Sequence, residues 1–453
     1  AVHKAAGNFD RALDALRAAQ KVDGNTRGID FNVWFLFGEV YAAQGDLGKA
    51  YNCFNRAFDR RVETFGLKHY KTAEVFAAFG DLAGRQGDYA CALEHYQAAL
   101  ICLLDEFDDT DVHSNPVKFE RTFLKKDLVG IFTRKIDALQ HLADQKNDPA
   151  FLDAAWATVQ AAVSAIDVLK AGAVQSEEDK LRFFRESAQV FEQGMEIAWE
   201  LGPEYYPAAF ELSEKSKAIV LLEAFRSANA LRLAGISDSL LERESQIKYE
   251  ISVAEDALFK GDNSRELRDR LIRLQTEYRE LLHTFEVRHP DYFRLRYDNR
   301  VISAREVNRI LTSRQAVVAY FSGENARFAF VLQGGGITMH RLPSEEALEP
   351  LVEGMRRGIF SYFLSEKRTE DAYEAYAVQY AESAVKLYEI LLGPFEASLP
   401  EDLLLIPDGV LGYLPFEALL TQKPQGPATR FKTHSYLLHR RRVSYCYSAT
   451  LWQ

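Results

Sequence analysis

Two stretches of this chain superimpose position by position. Gly38-x-x-Tyr41-x-x-x-Gly45-Asp46-x-x-x-Ala50-x-x-x-Phe54-x-x-Ala57 lies over Gly80-x-x-Ala83-x-x-x-Gly87-Asp88-x-x-x-Ala92-x-x-x-Tyr96-x-x-Ala99, with Gly45 and Gly87 42 positions apart. A third, degenerate copy begins at Gly7-Asn8-Phe9, its Ala12 standing 38 positions before Ala50. The spacing predicts pairs of helices. Small residues at Gly38, Ala50 and Ala57 let two helices approach, bulky Tyr41, Phe54 and Tyr96 fill between them, and Gly-Asp makes the turn. A helix pair of this kind cannot bury its apolar face alone, so successive copies must stack into a solenoid.

The pattern resembles the tetratricopeptide repeat in its longer variety of about 42 residues. That resemblance implies a curved solenoid over residues 1–112 whose concave side holds a protein or peptide partner. From 113 to 237 the consensus fades, yet amphipathic helical signals continue through Phe123 to Leu142, Phe151 to Leu169, Leu181 to Leu201 and Tyr206 to Leu233, read as further solenoid-like helices. Ser176, followed by Glu177, Glu178 and Asp179, suits an N-cap with an acidic first turn. Asn115-Pro116 and Gly202-Pro203 read as loops.

Residues 238–288 read as an antiparallel helical hairpin, Leu240 to Leu258 and Glu266 to Phe285, turning at Gly261-Asp262-Asn263-Ser264. After His289-Pro290 the period changes. Ala316 to Phe321, Arg327 to Leu332 and Ile337 to Leu342 are β-type runs, helical signals follow at Glu345 to Ser361 and Ala372 to Leu392, and Leu403 to Ile406 is a short buried strand. Residues 289–453 therefore predict an α/β layer, and the whole chain a multidomain protein: an all-α solenoid followed by a C-terminal α/β domain.

Composition excludes more than it assigns. With 55 Lys+Arg against 66 Asp+Glu the formal net charge is −11, which argues against a large nucleic-acid footprint. The one basic run, His439-Arg440-Arg441-Arg442, reads as a solvated edge strand or a loop pairing with acidic neighbours. Four cysteines, none in a Cys-x-x-Cys pair, fit a reducing compartment and argue against a disulfide framework or structural zinc. No apolar run is read as approaching the roughly 20 residues of a membrane span, and the Ala1 end lacks a basic-then-apolar signal pattern. A cytoplasmic protein with no membrane contact is expected. The start without Met, inside a repeat, also suggests a segment of something longer.

No cofactor or metal site emerges. Gly334-Gly335-Gly336 precedes a strand and not a helix N-terminus, so it reads as a hairpin turn and not a phosphate cradle. Gly45-Asp46-Leu47-Gly48-Lys49 is too short for a P-loop and is a repeat turn. Cys53, Cys91 and Cys102 fall on repeat helices as small hydrophobes. Cys446 has His434 and His439 nearby in sequence, but nearness in sequence does not make a thiol–imidazole pair.

Leu405-Ile406-Pro407-Asp408-Gly409-Val410-Leu411-Gly412-Tyr413-Leu414-Pro415-Phe416-Glu417-Ala418-Leu419 resembles the signature of the CHAT family, caspase-like domains that follow tetratricopeptide repeats and are distantly similar to separases. Flanking segments fit in the family's order: Glu214-Lys215-Ser216-Lys217-Ala218, Tyr292-Phe293-Arg294-Leu295, Ala319-Tyr320-Phe321, Leu387-Tyr388 with Gly393-Pro394, and Val443-Ser444-Tyr445 before Ser448-Ala449. The resemblance implies a cysteine endopeptidase. Its catalytic His, in a His-Gly motif, and its Cys come after the position of Ser448-Ala449, and Cys446 stands where the family has a small residue. No catalytic residue is therefore assigned, and 289–453 is expected to be the amino-terminal, noncatalytic part of such a domain. Two functions follow from these readings: the regulatory and scaffolding portion of a tetratricopeptide-regulated caspase-like endopeptidase, or a noncatalytic tetratricopeptide adaptor with a degenerate CHAT-like scaffold.

Overall fold

Gly45 and Gly87 adopt left-handed backbone, φ 82° and 77°, and the aspartate after each caps the helix it opens. Asp46 accepts the Lys49 N–H and Asp88 the Cys91 N–H, both at 3.1 Å, as N-cap carboxylates do. In the computed structural model, which describes residues 7–22, 30–119, 127–171, 177–227, 237–259, 264–290, 293, 300–344, 347–365 and 368–452, these turns separate the helices of each repeat. The helices are α1 (Phe9–Val22), α2 (Asp30–Ala43), α3 (Leu47–Phe65), α4 (Tyr70–Arg85) and α5 (Tyr89–Leu103).

The repeat glycines are sites of close approach. A Cβ on Gly38 would stand 2.4 Å from Phe54 Cε1, and one on Gly80 2.4 Å from Tyr96 Cε1. In these two repeats the aromatic of the second helix therefore fills the place where the first helix has no side chain, as the spacing predicts. Ala50, Ala57, Ala92 and Ala99 are fully buried behind them.

Two compact units share the chain. One comprises Ala1–Gln193 with Leu231–Tyr297, the other Gly194–Ala230 with Asp298–Gln453, so the helical stretch 113–237 contributes to both. In the first unit the repeat helices are followed by α6 (Leu128–Lys146), α7 (Ala150–Ala171) and the start of α8 (Glu177–Leu201). The predicted cap Ser176 lies outside the described residues, as do Gly261, Asp262 and Asn263.

The segment from Leu104 to Phe119 is irregular, and buried polar groups hold it. Lys135 on α6, fully buried, donates to Gln97 Oε1 (2.8 Å), Ser114 O (2.7 Å) and Asn115 Oδ1 (3.0 Å). Gln97 Nε2 donates in turn to Asp109 O and Asp111 O. Burial pushes the Lys135 amine down to about 7, against the attraction of Asp111 and Asp109.

Within α7, Ala150–Leu169 is long and apolar enough by length and composition to cross a membrane, which corrects the sequence reading. Asp153, Gln160 and Asp167 interrupt the run in sequence, and helical winding gathers the apolar residues between them. Ala155, Val159, Ala162, Ala165 and Ile166 are fully buried, so a core helix meets the same criteria. The hairpin forms from α10 (Asp238–Phe259) and α11 (Arg265–Arg288), closed by Ile247, Leu281 and Phe285, with Phe293 packed against them.

The second unit holds the end of α8, α9 (Tyr206–Ser227), α12 (Ala304–Ile310), β1 (Gln315–Ser322), β2 (Arg327–Gln333), β3 (Gly336–Leu342), α13 (Leu348–Leu364), α14 (Glu370–Leu391), β4 (Asp402–Ile406) and β5 (Arg442–Tyr445). Its sheet runs β3-β2-β1-β4-β5. β1 to β3 form the antiparallel meander, with Gly334 and Gly335 in its second turn, and β4 lies parallel between β1 and β5. One face, through Val318, Tyr320, Leu403 and Leu405, packs on α13 and α14. On the other, Phe330 meets Phe210 of α9 at 5.9 Å and Phe328 meets Trp199 at 6.3 Å. A strand buried on both faces explains the unbroken apolar run Leu403 to Ile406.

Gly80→Ala is expected to destabilise the solenoid by about 1–3 kcal/mol, because the Tyr96 ring must move. Gly84→Ala, whose Cβ would find its nearest neighbour at 4.0 Å, is expected to be neutral or to stabilise by up to about 1 kcal/mol. Denaturant unfolding followed by helical circular dichroism checks both, and equal effects at the two sites would contradict the packing described.

Candidate functional site

β1, β4 and β5 are parallel, so their carboxyl ends share one edge of the sheet, where open α/β sheets place their binding crevices. Three segments build that edge. After β4 the chain turns through Pro407, and Asp408 Oδ2 accepts the Ser322 N–H from the end of β1 at 2.8 Å. The chain then winds through short 3₁₀ turns at Gly409–Tyr413 and Phe416–Ala418.

Phe416 is fully buried, its ring 5.6 Å from Tyr320 and 6.2 Å from Tyr445. The Tyr445 hydroxyl at the end of β5 accepts the Phe416 N–H at 2.8 Å and donates to the Glu417 carboxylate. Burial and the neighbouring Glu417 both raise the Tyr445 phenol well above its ordinary range. It stays neutral as a donor at physiological pH.

The third segment follows β5. Ser448 and Ala449 are buried, and Thr450 is fixed from α9: Glu214 Oε2 accepts the Thr450 N–H at 3.0 Å and its hydroxyl at 3.1 Å. Thr450 Oγ1 also accepts the Ile302 N–H at 3.2 Å. The other Glu214 oxygen meets Lys217 Nζ at 3.3 Å, with both side chains buried. Glu214-Lys215-Ser216-Lys217 and Ser448-Ala449, quoted separately in the sequence, are thus one structural junction. Neither hydrogen-bonding nor apolar periodicity in α9 alone marks Glu214 as its anchor. An acid followed three positions later by a lysine reads as an ordinary surface pair.

The thiol and imidazoles of this unit form no pair. Cys446 N–H donates to Leu405 O at 3.0 Å, extending the β5 ladder, and its thiol donates to Ser448 O at 3.1 Å. His434 is buried between Phe431 and Tyr436, with no hydrogen-bond partner on either ring nitrogen. His439 stands edge-on to Tyr436 at 5.4 Å. Cys53 and Cys102 are buried in the repeats and Cys91 half-buried, all free thiols. Burial raises the Cys102 thiol to about 11, which makes it a poor nucleophile.

The basic run behaves as its sequence implies. Arg442 lies on the edge strand and pairs with Asp402, while Arg441 and Arg440 reach Glu396 at 3.3 and 3.7 Å. Among the described residues no group of three His, Cys, Asp or Glu side chains is placed to hold a metal ion.

Comparison with known families agrees with this geometry. A tetratricopeptide repeat model matches residues 31–100, and a CHAT domain model matches residues 381–453. No curated protein matches the chain. The CHAT match takes in β4, the turn at Asp408, Phe416, β5 and the Ser448-Ala449 segment. The chain thus carries tetratricopeptide repeats followed by a CHAT domain, in that order, and such repeats generally mediate protein–protein interaction.

Removing the Glu214 carboxylate strands a buried ammonium, so Glu214→Ala is expected to cost about 3–5 kcal/mol. Thr450→Val is expected to cost about 1–2 kcal/mol for its lost hydroxyl bonds. In a double-mutant cycle the two changes should be strongly non-additive. Additive losses in unfolding free energy would show that the two residues do not act as one junction.

Proposed function

We propose that residues 1–453 are the regulatory and scaffolding portion of a tetratricopeptide-regulated caspase-like cysteine endopeptidase of the cytoplasm, and that the solenoid holds a protein partner on its concave face. In this reading residues 1–112 recognise the partner, 113–237 extend the solenoid, 238–288 form the connecting hairpin, and 289–453 buttress the protease core. The order of the two family matches supports it. The observation that carries the scaffolding role is the bonding of the Cys446 thiol to Ser448 O, while the His434 nitrogens face no thiol. A thiol nucleophile needs a base within hydrogen-bond reach, so the chemistry belongs to residues other than these. Four free cysteines support the reducing compartment.

The same observation favours a second reading, a noncatalytic tetratricopeptide adaptor that keeps the CHAT scaffold for binding alone. The reading frame beyond Gln453 separates the two. A His-Gly motif with a following Cys is expected there, and changing that Cys to Ala in the complete polypeptide should abolish cleavage of the partner protein. Deleting residues 1–112 should leave the protease unresponsive to the partner. A frame encoding neither residue, or a partner left intact by the complete wild-type polypeptide, would decide for the adaptor.

A further inference from the structure

Between the CHAT signature and β5 the chain makes a closed loop, Thr421–Ser435. Its neck is fastened by the Thr421 N–H and hydroxyl, both donating to Ser435 O at 2.8 and 3.1 Å. The Leu420–Tyr436 bridge and the Leu437 N–H bond to Leu419 O continue the closure. This is the form of an Ω-loop, held by its own side chains and by what it packs on. Phe431 supplies the packing, with its ring 6.1 Å from Tyr373 and 5.9 Å from Tyr380 of α14.

At the neck sits His434, 4% exposed, its ring 5.5 Å from Phe431 and 5.9 Å from Tyr436. Both ring nitrogens are buried without a hydrogen-bond partner, an arrangement that a neutral ring endures and a charged one does not. The groups that face this neck would not compensate a charge. On the loop and its exit, Lys423, Arg430, Lys432 and Arg440 are exposed and positively charged, and His439 stands exposed beside Tyr436. Tyr436 offers its ring. From α14 come Tyr373 and Tyr380, while the carboxylates Glu370, Asp371 and Glu374 on that helix point to solvent.

We propose that His434 is a proton-operated latch: uncharged, it lets the Thr421–Ser435 loop stay docked on α14, and on protonation it drives the loop out into water. The inference goes beyond the function proposed above and does not depend on it. Burial alone holds the His434 imidazole below its ordinary value of 6.5. The docked loop is therefore fully favoured above that value and loses ground as pH falls through it. The open population grows about tenfold for each pKa unit separating the docked from the open imidazole.

Hydrogen exchange on the intact chain at pH 7.5, 6.5 and 5.5, corrected for the intrinsic pH dependence, tests the latch. Protection of amides in 421–437 is expected to fall towards pH 5.5, by at most about tenfold, while β1 and β4 stay protected. In His434→Leu the loop should remain protected across the range. Wild-type protection that does not change, or the same fall in His434→Leu, overturns the proposal. Should His434→Leu not fold, the NMR titration of the wild-type imidazole decides. A midpoint below 6.5 supports the latch, and one at or above 6.5 overturns it.

Discussion

The buried carboxylate of Glu214 obliges three remote segments to meet. One oxygen receives both donors of Thr450, whose hydroxyl receives the Ile302 N–H, and the other faces Lys217. A carboxylate with no exposed surface is tolerable only when its lone pairs are filled. The segment after β5, the approach to α12 and helix α9 are therefore fixed together or not at all. This junction sets where β5 ends, and with it the position of the Tyr445 hydroxyl that receives the Phe416 N–H.

The same rule operates in the solenoid with the sign reversed. Arg61 on α3 is 1% exposed, laid over the Phe35 ring at 4.2 Å and bonded to Glu74 at 3.1 Å. Lys135 holds the irregular segment before α6 by three acceptors. Buried cations stabilise less than their bond counts suggest, because desolvation offsets most of the attraction. What they supply is a defined position: an irregular stretch from Leu104 to Phe119, with little apolar surface of its own, acquires one conformation.

Period and turn chemistry made most of the architecture legible. Gly80 beside Tyr96, the meander turn at Gly334-Gly335 and the buried run Leu403 to Ile406 each admit one local solution, and neighbouring elements agree with it. Glu214, Lys135 and Arg61 are not legible, since a charged residue that is buried and paired or hydrogen-bonded has the same identity in the sequence as a solvated one. The spanning-length helix Ala150–Leu169 was missed for a related reason. Asp153 and Asp167 break the uninterrupted apolar run, whereas the average hydropathy over the whole stretch stays high enough for a span.

Cys446 shows why the site's chemistry was harder to read than its scaffold. Residue types alone allow a thiol with two nearby histidines, whereas the ladder bond from its N–H to Leu405 O fixes the backbone at that point. The thiol then falls within reach of Ser448 O, and the chain from Thr421 to Ser435 carries His434 into an aromatic pocket instead. Sheet pairing thus decides which side chains can react before their intrinsic reactivity matters. The carboxyl edge of β1, β4 and β5 is built from groups that are already satisfied: Asp408 by Ser322, Tyr445 by Phe416 and Glu417. An edge whose polar groups are satisfied internally holds one fixed shape, because moving any of them would leave a buried donor or acceptor unpaired.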